Sequence, residues 1–191
     1  LRVGIFGGSF NPVHRGHMRL AHAALSELDL NKLIFVPAGR PAFREKGALL
    51  PAALRVKLLK RAIRGERRFE VSACEMNRPG ASYTVDTIKH FKKKFGAEAT
   101  LYFLCGADTL RHFSRWKSPA EVLKLCRLVA ATRPGHRPGR LPKGAFFMPF
   151  EALRVSSTGI RRRLRRGESV ARLVPPGTEK ILKAAFRERS V

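Results

Sequence analysis

The chain has 191 residues, 44% of them hydrophobic, with 16 Gly and 12 Pro spread along its length. That composition excludes a disordered or fibrous protein and suffices for one sizeable core, so a single domain is expected over 1–191, with a main body to about 155 and a closing helical segment from about 156. Thirty-nine Lys and Arg against 14 Asp and Glu give a formal charge of +25, which points to a nucleic-acid partner or to substrates that are themselves polyanions.

The basic residues lie in every segment, and aromatic residues are not interleaved with them as stacking platforms. The charge is therefore read as solvated surface plus attraction for phosphate, and no specific nucleic acid is expected. No apolar run is long enough to span a bilayer and no leader is expected ahead of the first strand, so the location expected is cytoplasmic. Cys74, Cys105 and Cys126 are odd in number and form no CxxC pair. They read as reduced thiols and not as a metal site. A monomer and a homo-oligomer both fit these numbers.

In chain order, Val3–Phe6 reads as an apolar strand and Met18–Leu30 as a helix. Lys32–Pro37 (KLIFVP) is rich in branched and aromatic residues, as a buried parallel strand requires. Ala38–Leu50 is a loop rich in Pro, Gly and charge, long enough to be a substrate loop. Pro51–Arg64 carries Leu54, Leu58, Leu59 and Ile63 at helical spacing and stops at Gly65. Phe69–Ser72 is a third strand, and Tyr83–Phe95 a helix that Ser82 can cap. Thr100–Cys105 is the clearest strand in the chain. Gly106–Trp116 leaves it as a loop and short helix, followed by a helix over Ser118–Leu125 with Pro119 in its first turn. Leu128–Thr132 and Ala145–Pro149 complete the strands, and Ser156–Arg166 and Pro176–Glu188 are closing helices. Strands alternating with helices predict an α/β fold with a parallel sheet and right-handed crossovers. The loops after Phe6, Pro37, Ser72 and Cys105 all follow strands, so they fall on the edge where such sheets bind ligands.

Gly4–His17 (GIFGGSFNPVHRGH) has the parts of a phosphate site. Gly7 and Gly8 allow a sharp turn and close approach to an anion, and the helix that follows offers its positive N-terminus. His14 and His17, three apart, would share a helix face. The second signal is Val155–Arg161 (VSSTGIR), three hydroxyls at a helix start followed by an arginine fork for a phosphate oxygen. The third is Gly106–Trp116 (GADTLRHFSRW), where an aspartate leaving a strand suits a ribose diol. The fourth is Ser82-Tyr83-Thr84 at a helix N-terminus, which can receive a carboxylate through backbone N–H groups.

The first stretch resembles the (H/T)xGH signature of the nucleotidylyltransferase superfamily, and GGSFNPVH resembles the nicotinate/nicotinamide mononucleotide adenylyltransferases. VSSTGIR resembles the ISSTxIR motif of the same enzymes, which holds the triphosphate of ATP. The resemblance covers Gly4 to about Pro175. It implies a Rossmann-like, doubly wound parallel sheet with C-terminal helices, and transfer of an adenylyl group from ATP to nicotinate mononucleotide without a covalent intermediate. Implied for catalysis are His14, His17 and Arg161. Implied for ATP and its phosphates are Gly8, Ser9, Phe10, Gly106, Asp108, Arg133, Ser157, Thr158 and Ile160. Arg44, Tyr83, Thr84 and Trp116 fall to the pyridine nucleotide, with Trp116 stacked on its ring.

Mg²⁺ is implied as a companion of ATP, bound through phosphate oxygens and not through a protein cage. One loop departs from the family: where relatives read PPHK or PPHR, this chain reads Pro41-Ala42-Phe43-Arg44, so the histidine is replaced by Phe43. The rivals are nicotinamide mononucleotide as acceptor, another superfamily member such as pantetheine-phosphate adenylyltransferase or a cytidylyltransferase, and a non-catalytic basic nucleic-acid-binding protein.

Overall fold

A computed structural model of the chain describes residues 1–41, 49–106, 110, 112–131 and 141–187. Its strands are β1 (Arg2–Gly8), β2 (Lys32–Pro37), β3 (Phe69–Val71), β4 (Thr100–Gly106), β5 (Arg127–Ala131) and β6 (Ala145–Met148). They form one sheet in the order β3-β2-β1-β4-β5-β6, and every neighbouring pair is parallel. The helices are α1 (Arg15–Glu27), α2 (Ala52–Ala62), α3 (Thr84–Phe95), α4 (Pro119–Leu125), α5 (Ser157–Arg165) and α6 (Thr178–Arg187). A 3₁₀ turn at Phe113–Arg115 precedes α4.

Period-two alternation along the strands builds two cores. Phe6, Leu33, Phe35, Leu104 and Val129 face one side, where they meet Leu20, Ala24 and Leu25 of α1, Leu58 and Leu59 of α2, Ile160 of α5 and Leu182 of α6. Val3, Ile5, Ile34, Val36, Phe103 and Leu128 face the other, against Val85, Ile88 and Phe91 of α3 and Val122 of α4. Because a parallel sheet must be covered on both faces, these strands are apolar at successive residues and not only at alternate ones. The sheet is thus doubly wound, and its direction of growth reverses between β1 and β4, which opens a crevice beyond their carboxyl ends.

Three local expectations shift. α1 begins at Arg15, earlier than the apolar pattern suggests, because His14 takes an extended conformation and caps it. It also ends at Glu27. Leu28 and Leu30 are buried and prolong the pattern, but Asp29, at φ 47°, turns the chain between them. Ser82 does not cap α3: Tyr83 is the N-cap, and the Ser82 hydroxyl accepts the N–H groups of Gly39 and Arg40 at 3.1 and 3.2 Å.

Candidate active site

A cavity of about 430 Å³ lies at the crevice, within the range of small-molecule sites. Its floor is the end of β1 (Phe6, Gly7, Gly8) with Ser9 just beyond it, and the end of β4 (Phe103, Cys105, Gly106). Its walls include His14, Gly16 and His17 on one side and Ser82, Tyr83, Thr84 and Trp116 on the other.

Gly7 and Gly8 belong to β1 itself and do not turn the chain; the left-handed residue is Phe10, at φ 43°. What demands glycine at position 7 is close approach. A Cβ there would stand 2.7 Å from the Phe103 ring, and one on Gly8 would stand 3.2 Å from the Phe10 ring. The Phe10 side chain is buried (1% exposed) and packs edge-on against Phe6, Phe35 and His17. From the turn, then, only backbone groups of Phe10 can serve a ligand.

His14 and His17 do not share a helix face, because His14 stands just outside α1. They form a reciprocal cap instead. The His17 N–H donates to His14 Nδ1 at 3.3 Å, the His14 N–H donates to His17 Nδ1 at 3.1 Å, and the rings stack at 3.7 Å. This is a capping box made from two imidazoles. Each Nδ1 is an acceptor, so the proton of each neutral ring sits on Nε2, and both rings carry an N–H donor beside a positive helix end. Gly16 makes the arrangement possible: a Cβ there would meet Val155 Cγ1 at 2.9 Å and His14 Nδ1 at 3.1 Å.

The start of α5 is fastened to this same turn. Ser157 Oγ donates to the Pro12 carbonyl at 2.9 Å, and Arg161 Nη1 donates to the Asn11 carbonyl at 2.7 Å. Ser156 caps α5 by accepting the Gly159 N–H at 3.1 Å, and Arg161 Nη2 donates to Thr158 Oγ1 at 3.3 Å. Two helix N-termini are so held side by side, and their N–H groups and partial charges suit a polyanion. Ile160 is fully buried and packs in the core; Thr158 is exposed.

On the opposite wall, α3 starts with an N-cap residue whose side chain makes no capping bond, which leaves first-turn N–H groups of this helix for a ligand. Trp116 is half-buried, edge-on to Phe103 at 6.1 Å and tilted on Phe113 at 5.2 Å. Lys117 Nζ lies 4.7 Å over the Tyr83 ring and 3.3 Å from Asp86 Oδ2. Arg44, Phe43, Asp108 and Arg133 lie outside the described residues.

Cys105 lines the cavity, but burial, with Cys126 beside it, pushes its thiol far above the ordinary range. A thiol so held stays protonated and is no nucleophile. Burial likewise pushes Cys126 up to about 12. Among the described residues no group of three or more His, Cys, Asp or Glu could hold a metal ion.

Three buried polar residues in and behind the cavity wall have roles that the motifs did not assign. Arg55 is 1% exposed and reaches out of α2 to donate to the carbonyls of Leu50 (3.1 Å), Ser9 (3.0 Å) and Ala38 (2.8 Å). It thereby braces the loops after β1 and β2. Desolvation lowers its pKa, against the pull of Glu75. Asn11, fully buried, accepts the Leu50 N–H at 2.9 Å. Burial raises the pKa of Glu75, while hydrogen bonds from Thr87 and Ser82 act the other way. Arg55 sits among apolar helix positions (Leu54, Leu58, Leu59), and this break in the amphipathic pattern was the one available signal.

A parallel sheet reversing at β1/β4, with paired helix N-termini over the crevice, defines a nucleotide-binding α/β enzyme class. The chain belongs to the cytidylyltransferase-like family, whose model matches residues 5–163. Several relatives carry the name "Probable nicotinate-nucleotide adenylyltransferase". That of Moorella thermoacetica is 38% identical over 96% of this chain and 89% of its own length. That of Thermus thermophilus is 40% identical over 94% and 95%. The solved Plasmodium falciparum nicotinic acid mononucleotide adenylyltransferase complexed with NaAD has the same fold, with a TM-score of 0.76 at 15% identity over 100% of this chain and 96% of that one.

Proposed function

We propose that this chain is a nucleotidyltransferase of NAD biosynthesis that joins ATP to nicotinate mononucleotide, giving nicotinate adenine dinucleotide and pyrophosphate. The observation that carries the reading is the pair of stapled helix N-termini, with two Nε2–H donors, facing an uncapped helix N-terminus and a tryptophan across one cavity. One side suits a triphosphate; the other suits a flat ring bearing a carboxylate. The naming of the relatives supports the same acceptor.

The attacking group is the acceptor's 5′-phosphate, already anionic, so no general base is needed. One of its oxygens bonds to the α-phosphorus of ATP as the bond to the β-phosphate bridging oxygen breaks, and pyrophosphate leaves. Catalysis is then positioning plus neutralisation of charge on the equatorial oxygens. We assign His17 Nε2–H to the α-phosphate, His14 beside it, and the Gly8–Ser9 backbone to the phosphates. The first turn of α5, with Arg161, holds the leaving pyrophosphate. Arg161 also keeps the Asn11–His14 turn in place through Asn11. Tyr83 and Thr84 offer backbone N–H groups to the acceptor carboxylate, and Trp116 takes its ring. Mg²⁺ would be held by the phosphates of ATP and not by a protein cage, and would supply charge neutralisation there. No helix among the described residues is long and apolar enough to cross a membrane, and we place the reaction in the cytoplasm.

The test is pyrophosphate release from ATP and Mg²⁺ with nicotinate mononucleotide, nicotinamide mononucleotide or phosphopantetheine as acceptor. Turnover on nicotinate mononucleotide above the others is expected. Preference for nicotinamide mononucleotide would transfer the α3 N-terminus to a carboxamide, and turnover on phosphopantetheine alone would void the Trp116 and Thr84 assignments.

A further inference from the structure

The wall of the cavity contains a carboxyl group that none of the motifs uses. Glu75 is 8% exposed and lines the cavity. Thr87 Oγ1, one turn inside α3, donates to Glu75 Oε1 at 2.5 Å. The Ser82 hydroxyl, the Gly39 N–H and Arg78 face the same carboxyl.

The neighbours of Glu75 form a lace between two segments far apart in sequence. Ser82 Oγ accepts the N–H groups of Gly39 and Arg40. The Ser82 N–H donates to the Arg40 carbonyl at 2.9 Å, and Pro41 and Ser82 form a parallel β-bridge. A hydroxyl that accepts two N–H groups keeps its own proton to give, and the carboxylate facing it is the acceptor. Gly39 is required here, because a side chain on it would collide with the Glu75 carbonyl. Burying a carboxylate is costly, and an apolar residue would fill the same space more cheaply. Its presence is explained by what it holds, namely the two strips of backbone that carry Pro41, Ser82, Tyr83 and Thr84 into the cavity wall.

We propose that Glu75 is a positioning residue of the acceptor subsite, a latch that ties the loop after β2 to the first turns of α3 and so sets Tyr83 and Thr84 against the pyridine group. The proposal rests on the acceptor reading above. It implies that losing the latch weakens acceptor binding while leaving the ATP side alone, a split that a merely structural residue would not produce.

The experiment compares Glu75→Gln, Thr87→Val and Thr87→Ser with wild type, measuring KM for nicotinate mononucleotide, KM for ATP, kcat and Tm. Gln keeps the shape but cannot accept at both ends of its headgroup; Val removes the Thr87 hydroxyl and Ser returns it. The expected result is an acceptor KM raised about tenfold in Glu75→Gln and Thr87→Val, an ATP KM within about twofold of wild type, and recovery in Thr87→Ser. If Glu75→Gln does not fold, the two Thr87 variants decide. Unchanged KM values in the variants would overturn the latch alone, as would a parallel rise of both KM values with a fall in Tm that Ser does not reverse. Wild-type protein that turns over neither pyridine mononucleotide would end the acceptor reading, and the latch with it.

Discussion

The side of the cleft assigned to the phosphates is made of two short continuous motifs joined by two side-chain bonds, whereas the side assigned to the acceptor is assembled from many single strips that meet only in the folded chain. On the phosphate side His14, Gly16 and His17 cap one helix, Ser156–Arg161 open another, and two side-chain bonds to the Asn11 and Pro12 carbonyls fasten them. On the acceptor side residues 39–41, 75, 82–87 and 116 come from separate elements, and the buried side chains of Arg55, behind the wall, and Glu75, within it, hold them. Charge stabilisation can be written as a short motif because a helix N-terminus supplies most of it. A shaped wall for a ring cannot, because its geometry depends on loop placement.

Breaking the phosphate side should have the largest effect. His17→Ala removes the Nε2–H donor assigned to the α-phosphate, and kcat should fall about 100- to 1,000-fold in steady-state pyrophosphate release, with acceptor KM little changed. A fall confined to acceptor KM would place His17 on the wrong side of the comparison. Next comes Arg55→Met, which leaves the carbonyls of Leu50, Ser9 and Ala38 without their donor and leaves Glu75 with the charge of Arg78 but not that of Arg55. Urea denaturation should show a loss of about 3 kcal/mol, a stability effect that no change on the exposed Thr158 should match.

The smallest effect is a pH dependence. Burial raises the Glu75 pKa in the folded chain, so the group's contribution to stability is fully present below its unfolded value, about 4.3, and is lost as pH rises through the raised folded value. The Tm of wild type relative to Glu75→Gln should therefore fall between acid and neutral pH. A difference that rose with pH would mean that hydrogen bonds, and not desolvation, dominate at Glu75.

These contrasts also explain what could be read before folding. The six strands, the parallel order and the His14/His17 and Ser156–Arg161 signals were legible because hydrophobic periodicity and cap chemistry are local. The glycines at the end of β1 were legible as important, but for another reason: Phe103, distant in sequence, packs where a Cβ of Gly7 would be. Ser82 reads as a helix cap because Ser is a good one, yet the loop at Gly39–Arg40 competes for its hydroxyl and wins. Glu75 looks like an ordinary charged residue, since nothing local announces that its charge will be buried, and Arg55 is marked only by its interruption of the apolar face of α2. Arg44, Asp108 and Arg133 fall outside the described residues.

The proposed reaction requires that the cleft bring an anionic acceptor in line with the α-phosphorus of ATP and supply donors, not a nucleophile. The stereochemical course tests it most directly. The substrate is a single diastereomer of ATP with sulfur replacing one non-bridging α-oxygen, and nuclear magnetic resonance gives the configuration of the dinucleotide formed with nicotinate mononucleotide. One in-line displacement predicts inversion at phosphorus. Retention would mean two displacements through a nucleotidyl-enzyme, and would contradict the account.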